Sequence, residues 1–235
     1  MMGAIIRREL YAYFTSPAAF VYLGVVYFLS GFFLMTDTLY SNSADLRPVF
    51  SSLLFVVMFL SPVLTMRLMA EDRRHRTDQI LLTSPVTLGA IVTGKFFAAV
   101  IVYTAGISIT LVYAVTLSFF SLMTWAVVWG NYIALFLLGC AFISIGQFIS
   151  SLTESQVIAF IGTFAALFGI LLLDMLPSIW PNAQTAAIIR EISFTRRFMP
   201  ITNGILSVSN LIFFVSVCGI FLFLTARVLE KRRWS

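Results

Sequence analysis

Charge is what this chain has least of. Only 11% of its 235 residues are Asp, Glu, Lys or Arg, against 60% hydrophobic residues. So few charges cannot cover the surface of a soluble domain, whereas a bundle facing lipid needs few. Cysteine is almost absent too. Cys140 and Cys218 lie in apolar runs, where thiols pack as small side chains, so no disulfide framework is expected. A single histidine, His75, offers no Cys/His cluster with metal-ligand spacing. It reads as a solvated surface residue. The phosphate-loop pattern GxxxxGK[ST] is missing as well. Gly94-Lys95-Phe96 has the Gly-Lys but neither the upstream Gly nor the following Ser/Thr. The chain is therefore not expected to hydrolyse ATP, and it has no nucleophile or acid–base cluster that would suggest a membrane enzyme.

What is present is long apolar runs, with a mean hydropathy of +0.99. A bilayer core needs roughly 20 apolar residues per helix. Six such spans are predicted at about residues 17–36, 48–66, 89–119, 131–150, 156–175 and 205–225. The stretch from Phe96 to Thr153 has no charge and is too long for one crossing. Its break is placed near Phe119–Asn131, where Trp125 and Trp129 suit a membrane interface. Residues 2–14 put Met2, Ile6, Leu10 and Tyr13 on one helical face, with Arg7, Arg8 and Tyr11 towards the other. That pattern predicts a helix lying in the interface. A cleaved signal peptide is disfavoured, because the first apolar run is longer than an h-region and lacks a small-residue cleavage site.

The scarce charges are concentrated. Seven of the 15 basic and 10 acidic residues fall between Arg67 and Asp78. Each would cost about 2.5–3.5 kcal/mol at a bilayer centre, so this segment belongs in water. Ile80, Leu81 and Leu82 follow, closed by Pro85, and residues 67–86 are read as an amphipathic helix offered to a soluble partner. Orientation comes from counting Lys and Arg. With both termini and the 67–95 region in the cytoplasm, eleven are inside. Arg47, Arg190, Arg196 and Arg197 are outside. Two termini on one side require an even number of crossings. The outer residues 182–204, with Ile188, Phe194 and Phe198 among their arginines, are expected to form short helices before span six. Asp174 falls about 27 Å along span five, near the edge of a core of roughly 30 Å, so it is expected to anchor at an interface rather than relay protons. Basic charge here marks membrane orientation, and no nucleic-acid partner is expected.

TMRLMAEDRRHRTDQILLTSPV at Thr65–Val86, followed by GKFFAA, resembles the span-two exit and coupling segment of ABC type-2 permeases. The closest likeness is to the gliding-motility-associated branch. SSLTESQVIA, the tail FLFLTARVLEKRRWS and the N-terminal RRELYAYFTSPAAFVYLGV resemble the same branch, in the same order along the chain. The fold class this implies is an all-α integral membrane protein. Its six transmembrane helices are joined by an N-terminal interfacial helix, a cytoplasmic coupling helix between spans two and three, and extracytoplasmic helices before span six, as one transmembrane domain over residues 1–235.

The resemblance further implies a permease subunit, an exporter, with a second permease subunit beside it. A separate ABC ATPase subunit would bind ATP and Mg. The coupling contacts would come from Glu71, Asp72, Arg73, Arg74, Arg76, Thr77, Asp78, Gln79, Leu81 and Leu82. Thr153, Glu154 and Ser155 would form a secondary cytoplasmic loop, and Arg7, Arg8 and Glu9 would belong to the interfacial helix. Gly162, Ala166 and Gly169 would allow close helix packing at the dimer contact. Relatives carry Gly-Thr where this chain has Arg76-Thr77, and Glu in place of Gln79, so its docking detail differs. Sparse Ser, Thr and Tyr inside the spans suit an amphipathic or lipid-like cargo. The alternative is a mechanotransmitting subunit that passes force to an extracytoplasmic accessory protein without moving a substrate.

Overall fold

The computed structural model describes residues 2–40, 45–74, 87–120, 124–175, 193–204 and 207–233, and among them there are helices and no strands. Helix α1 spans Met2–Thr15. Pro17, whose missing N–H costs nothing at a helix start, opens α2 at Pro17–Phe33, and a π-helical turn at Leu34–Leu39 prolongs it. Then come α3 (Arg47–Thr65), the short α4 (Ala70–Arg74), α5 (Leu88–Ile107), α6 (Ile109–Ser118) and α7 (Trp125–Leu152). The chain closes with α8 (Gln156–Met175), α9 (Phe194–Thr202) and α10 (Val208–Arg233).

Among the described residues six helical stretches are long and apolar enough to cross a membrane: Pro17–Thr38, Arg47–Arg74, Leu88–Ser118, Trp125–Leu152, Gln156–Asp174 and Val208–Lys231. The fourth starts at Trp125 rather than at Asn131. Both tryptophans of the expected break are inside the helix, half exposed near its first turns. Asn131 is buried, and its Nδ2 donates to the carbonyls of Val127 (2.8 Å) and Thr202 (3.2 Å). An amide that reads as a loop residue is instead a clasp between α7 and the end of α9.

Helix α7 is the axis of the bundle: α3, α5, α8, α9 and α10 all pack on it. Buried residues make up 72% of its apolar stretch, against 17% in the fifth span and 11% in the sixth, which face outward with exposed Val157, Ile161, Ile212 and Phe223. Close approach to α7 depends on two glycines. A Cβ at Gly139 would strike the ring of Tyr103, and one at Gly146 would strike Thr65 of α3 and Thr163 of α8. Tyr103 Oη in turn donates to the Leu135 carbonyl at 2.5 Å. Pro62 lies within α3, where it cannot donate to Met58 O. Ser61 Oγ supplies a bond to that carbonyl at 3.3 Å, so the helix passes through its proline.

Candidate functional site

Helix α1 and the last turns of α10 lie at one end of the bundle. Leu229 of α10 packs with Met69 and with Val92 of α5, and α1 lies along α5 and α2. Gly94 permits this approach, because a Cβ there would press on Ile5 of α1. The buried stripe of α1 is Ile5, Glu9 and Tyr13, while Arg7 and Tyr11 point outward.

That stripe contains a carboxylate. Glu9 is buried because Lys95, one residue beyond Gly94, reaches it: Nζ is 2.9 Å from Glu9 Oε1. The same ammonium is 2.6 Å from Asp72 Oδ2, and its side chain is only 3% exposed. Asp72 Oδ1 accepts from Arg8 Nη2 at 3.0 Å. One buried cation thus joins α1, α4 and α5, and Asp72 returns the connection to α1. Burying one such charge alone would be very costly, and the arrangement is viable because each has an opposite charge in contact.

A second set of contacts continues from α4 to α7. Arg67 grips Glu71 through Nε (2.6 Å) and Nη2 (2.8 Å), and its Nη1 donates to Ser16 Oγ. Tyr13 Oη donates to Leu64 O at 2.6 Å, and burial pushes that phenol well above its ordinary pKa, keeping it a donor. Ser150 Oγ accepts from the backbone N–H of Met69 (3.2 Å) and Ala70 (3.1 Å) and donates to Met66 O (3.2 Å). Arg73 donates to Ser151 O (3.2 Å) and to Glu154 Oε1 (3.0 Å). Gln147, fully buried one turn earlier, donates to Val92 O at 2.9 Å.

The residues singled out in the sequence therefore separate into groups. Arg8, Glu9, Glu71, Asp72, Arg73 and Glu154 converge on this junction with partners inside the chain. Arg7 and Arg74 are exposed. Thr153 and Ser155 shape the turn into α8, with Ser155 N donating to Thr153 Oγ1 at 3.2 Å. Arg76, Thr77, Asp78, Gln79, Leu81, Leu82 and His75 lie outside the described residues. The 162–166–169 stripe is not uniform. Gly162 faces Ile149 of this chain's own α7, whereas a Cβ at Gly169 would meet nothing within 4 Å. Lys95, read from sequence only as the start of a span, is the residue that pattern reasoning missed. Its signal was a lone cation about two turns inside an apolar helix, which needs a partner.

The family model described as ABC-2 family transporter protein matches residues 33–234. The chain belongs to this ABC-2 transporter family. An ABC-2 chain is a multi-pass membrane component of an ABC transporter, a system with an ATPase partner, and such membrane subunits are generally non-catalytic. No curated protein matches the sequence.

Proposed function

We propose that this chain is the permease subunit of an ATP-driven exporter, and that the junction of α1, α4, α5 and the α7–α8 turn is where a separate ATPase acts. The supporting observation is the Glu9–Lys95–Asp72 cluster. It makes three segments distant in sequence move as one body, and the Ser150 and Arg73 contacts extend that body to α7. A push on the exposed side of the junction is then carried by buried ion pairs into the spans. In this reading the junction faces the cytoplasm of a cell whose inner membrane holds the protein. ATP and Mg bind the partner, and a second permease copy completes the pathway.

The interior supports an amphipathic cargo over an ion. Buried hydroxyls of Ser61, Thr65, Ser144, Thr163 and Thr225 each donate to a carbonyl three or four residues back in their own helix. Among the described residues no three or more carboxylates, cysteines or histidines gather into a group that could hold a metal ion.

Glu71 and Asp72 are poor probes of docking, since reversing them breaks contacts within the chain. Arg7 and Arg74 are suitable. The double variant Arg7→Glu/Arg74→Glu should retain the parent's melting behaviour and lose co-purification of the ATPase. Unchanged co-purification with both charges reversed would remove this surface from the docking site.

A further inference from the structure

At the end of the bundle away from α1, α8 and α10 both pack on α7 but hardly on each other. The gap between them is a cavity of about 290 Å³. Ile145 of α7 forms its floor, Ile170 and Leu173 one wall, Val217 and Phe221 the other, and Phe194 of α9 the roof. The volume is near the lower limit of small-molecule sites, roughly 300–1,000 Å³, so it holds a single chain or ring system and not a folded segment. From Phe213 to Phe221 the wall extends about 12 Å along α10, which gives an elongated, apolar slot.

Charges of both signs lie beside the slot, one lining it and one over a ring that lines it. Asp174 lines the cavity and accepts from Thr195 N at 3.0 Å through Oδ2, at the start of α9. Phe213 also lines it, and the Arg197 guanidinium carbon lies 4.6 Å from the centre of that ring. Arg197 is held there by Asn210 Oδ1 (3.4 Å) and Ser209 Oγ (3.5 Å). Positive-inside counting places Arg197 on the non-cytoplasmic side of the membrane, within reach of the head groups of that leaflet.

We infer that the slot between α8 and α10 binds one acyl chain of a zwitterionic phospholipid, with the phosphate towards Arg197 and the amine towards Asp174. An apolar slot with an acid in its lining and a guanidinium over one of its rings is complementary to that head group and to its tail together. A purely anionic amphipath would be repelled by Asp174, and a purely cationic one by Arg197. The assignment depends on the chain being in a membrane and not on the direction of transport or the cargo.

The test is photolabelling of the full chain in phosphatidylethanolamine vesicles, using a phosphatidylethanolamine tracer with a diazirine near the acyl terminus, followed by peptide mapping. Adducts should concentrate on the peptides holding Ile170–Asp174 and Phe213–Phe221. Filling the slot by Val217→Trp, or by Leu173→Trp on its half-exposed rim, should remove them. Val215→Trp, at a position 57% exposed on the same helix, should not. Asp174→Asn and Arg197→Gln should each lower labelling about tenfold, as expected for loss of one charge-assisted contact. A diazirine fatty alcohol should label these two variants as well as the parent. Adducts spread evenly over the outward faces of the spans would overturn the assignment. Slot adducts insensitive to both tryptophan fillers, or to both head-group variants, would do the same.

Discussion

At the end of the bundle that carries α1 and the last turns of α10, the helices meet through Glu9, Lys95, Asp72, Arg8, Arg67 and Glu71. At the opposite end, α9 meets the spans through rings. Phe194 stacks on Phe142 at a centroid distance of 5.8 Å and meets Phe213 and Phe214 edge-on, while Phe198 is fully buried. Ion pairs have a register, because a buried ammonium must stay within hydrogen-bond reach of its carboxylates or pay the cost of desolvation. Aromatic contacts tolerate sliding, since dispersion and edge-to-face geometry change gradually with displacement. Under the proposed coupling this division would be useful: a stiff junction would receive motion, and a softer end would yield to it.

The largest effect that would break this comparison is removal of the shared cation. Lys95→Met leaves Glu9 and Asp72 buried together and should destabilise the chain by about 3–5 kcal/mol. Thermal melting of the reconstituted protein would report it. The triple variant Glu9→Gln/Asp72→Asn/Lys95→Met should recover a large part of the loss, because no uncompensated buried charge remains and Arg8, which loses Asp72, is half exposed. If the single and triple variants melt together, the junction is held by apolar packing and its charges are incidental.

At the other end Phe198→Ala should cost about 3 kcal/mol by opening a cavity, and Phe198→Leu should recover much of that by restoring volume without any polar partner. Rescue by size at one end and by neutralisation at the other is the sharpest form of the contrast, and one series of melts tests both. The smallest effect is expected for Arg73–Glu154. Glu154 is 68% exposed, so a double-mutant cycle should give about 0.2–1 kcal/mol, fading in high salt.

Hydropathy made the six spans readable, because helices of this length and composition have one stable environment. The junction was readable only in part. A helical repeat on α1 placed Met2, Ile6, Leu10 and Tyr13 together, and it left Glu9 out because a carboxylate is not expected on a buried face. Its partner Lys95 is 86 residues away, and no local pattern connects them. For the same reason Glu71 and Asp72 read as acids offered to another protein, although both are engaged within the chain. Asp174 was placed at the edge of the apolar layer by helix rise alone. Its bond to Thr195 N, which sets it at the first turn of α9, needed the fold.

Gly146, with no side chain of its own, lets Thr65 of α3 and Thr163 of α8 close directly on the backbone of α7. Three rods touching at one bare point share a fulcrum there. Ser150, where α4 is fastened, lies on one arm of α7, and Ile145 with the outer half of the helix lies on the other. A tilt of α7 about that pivot swings its two arms in opposite senses, so a shove at the short arm would be felt at the long one as a pull.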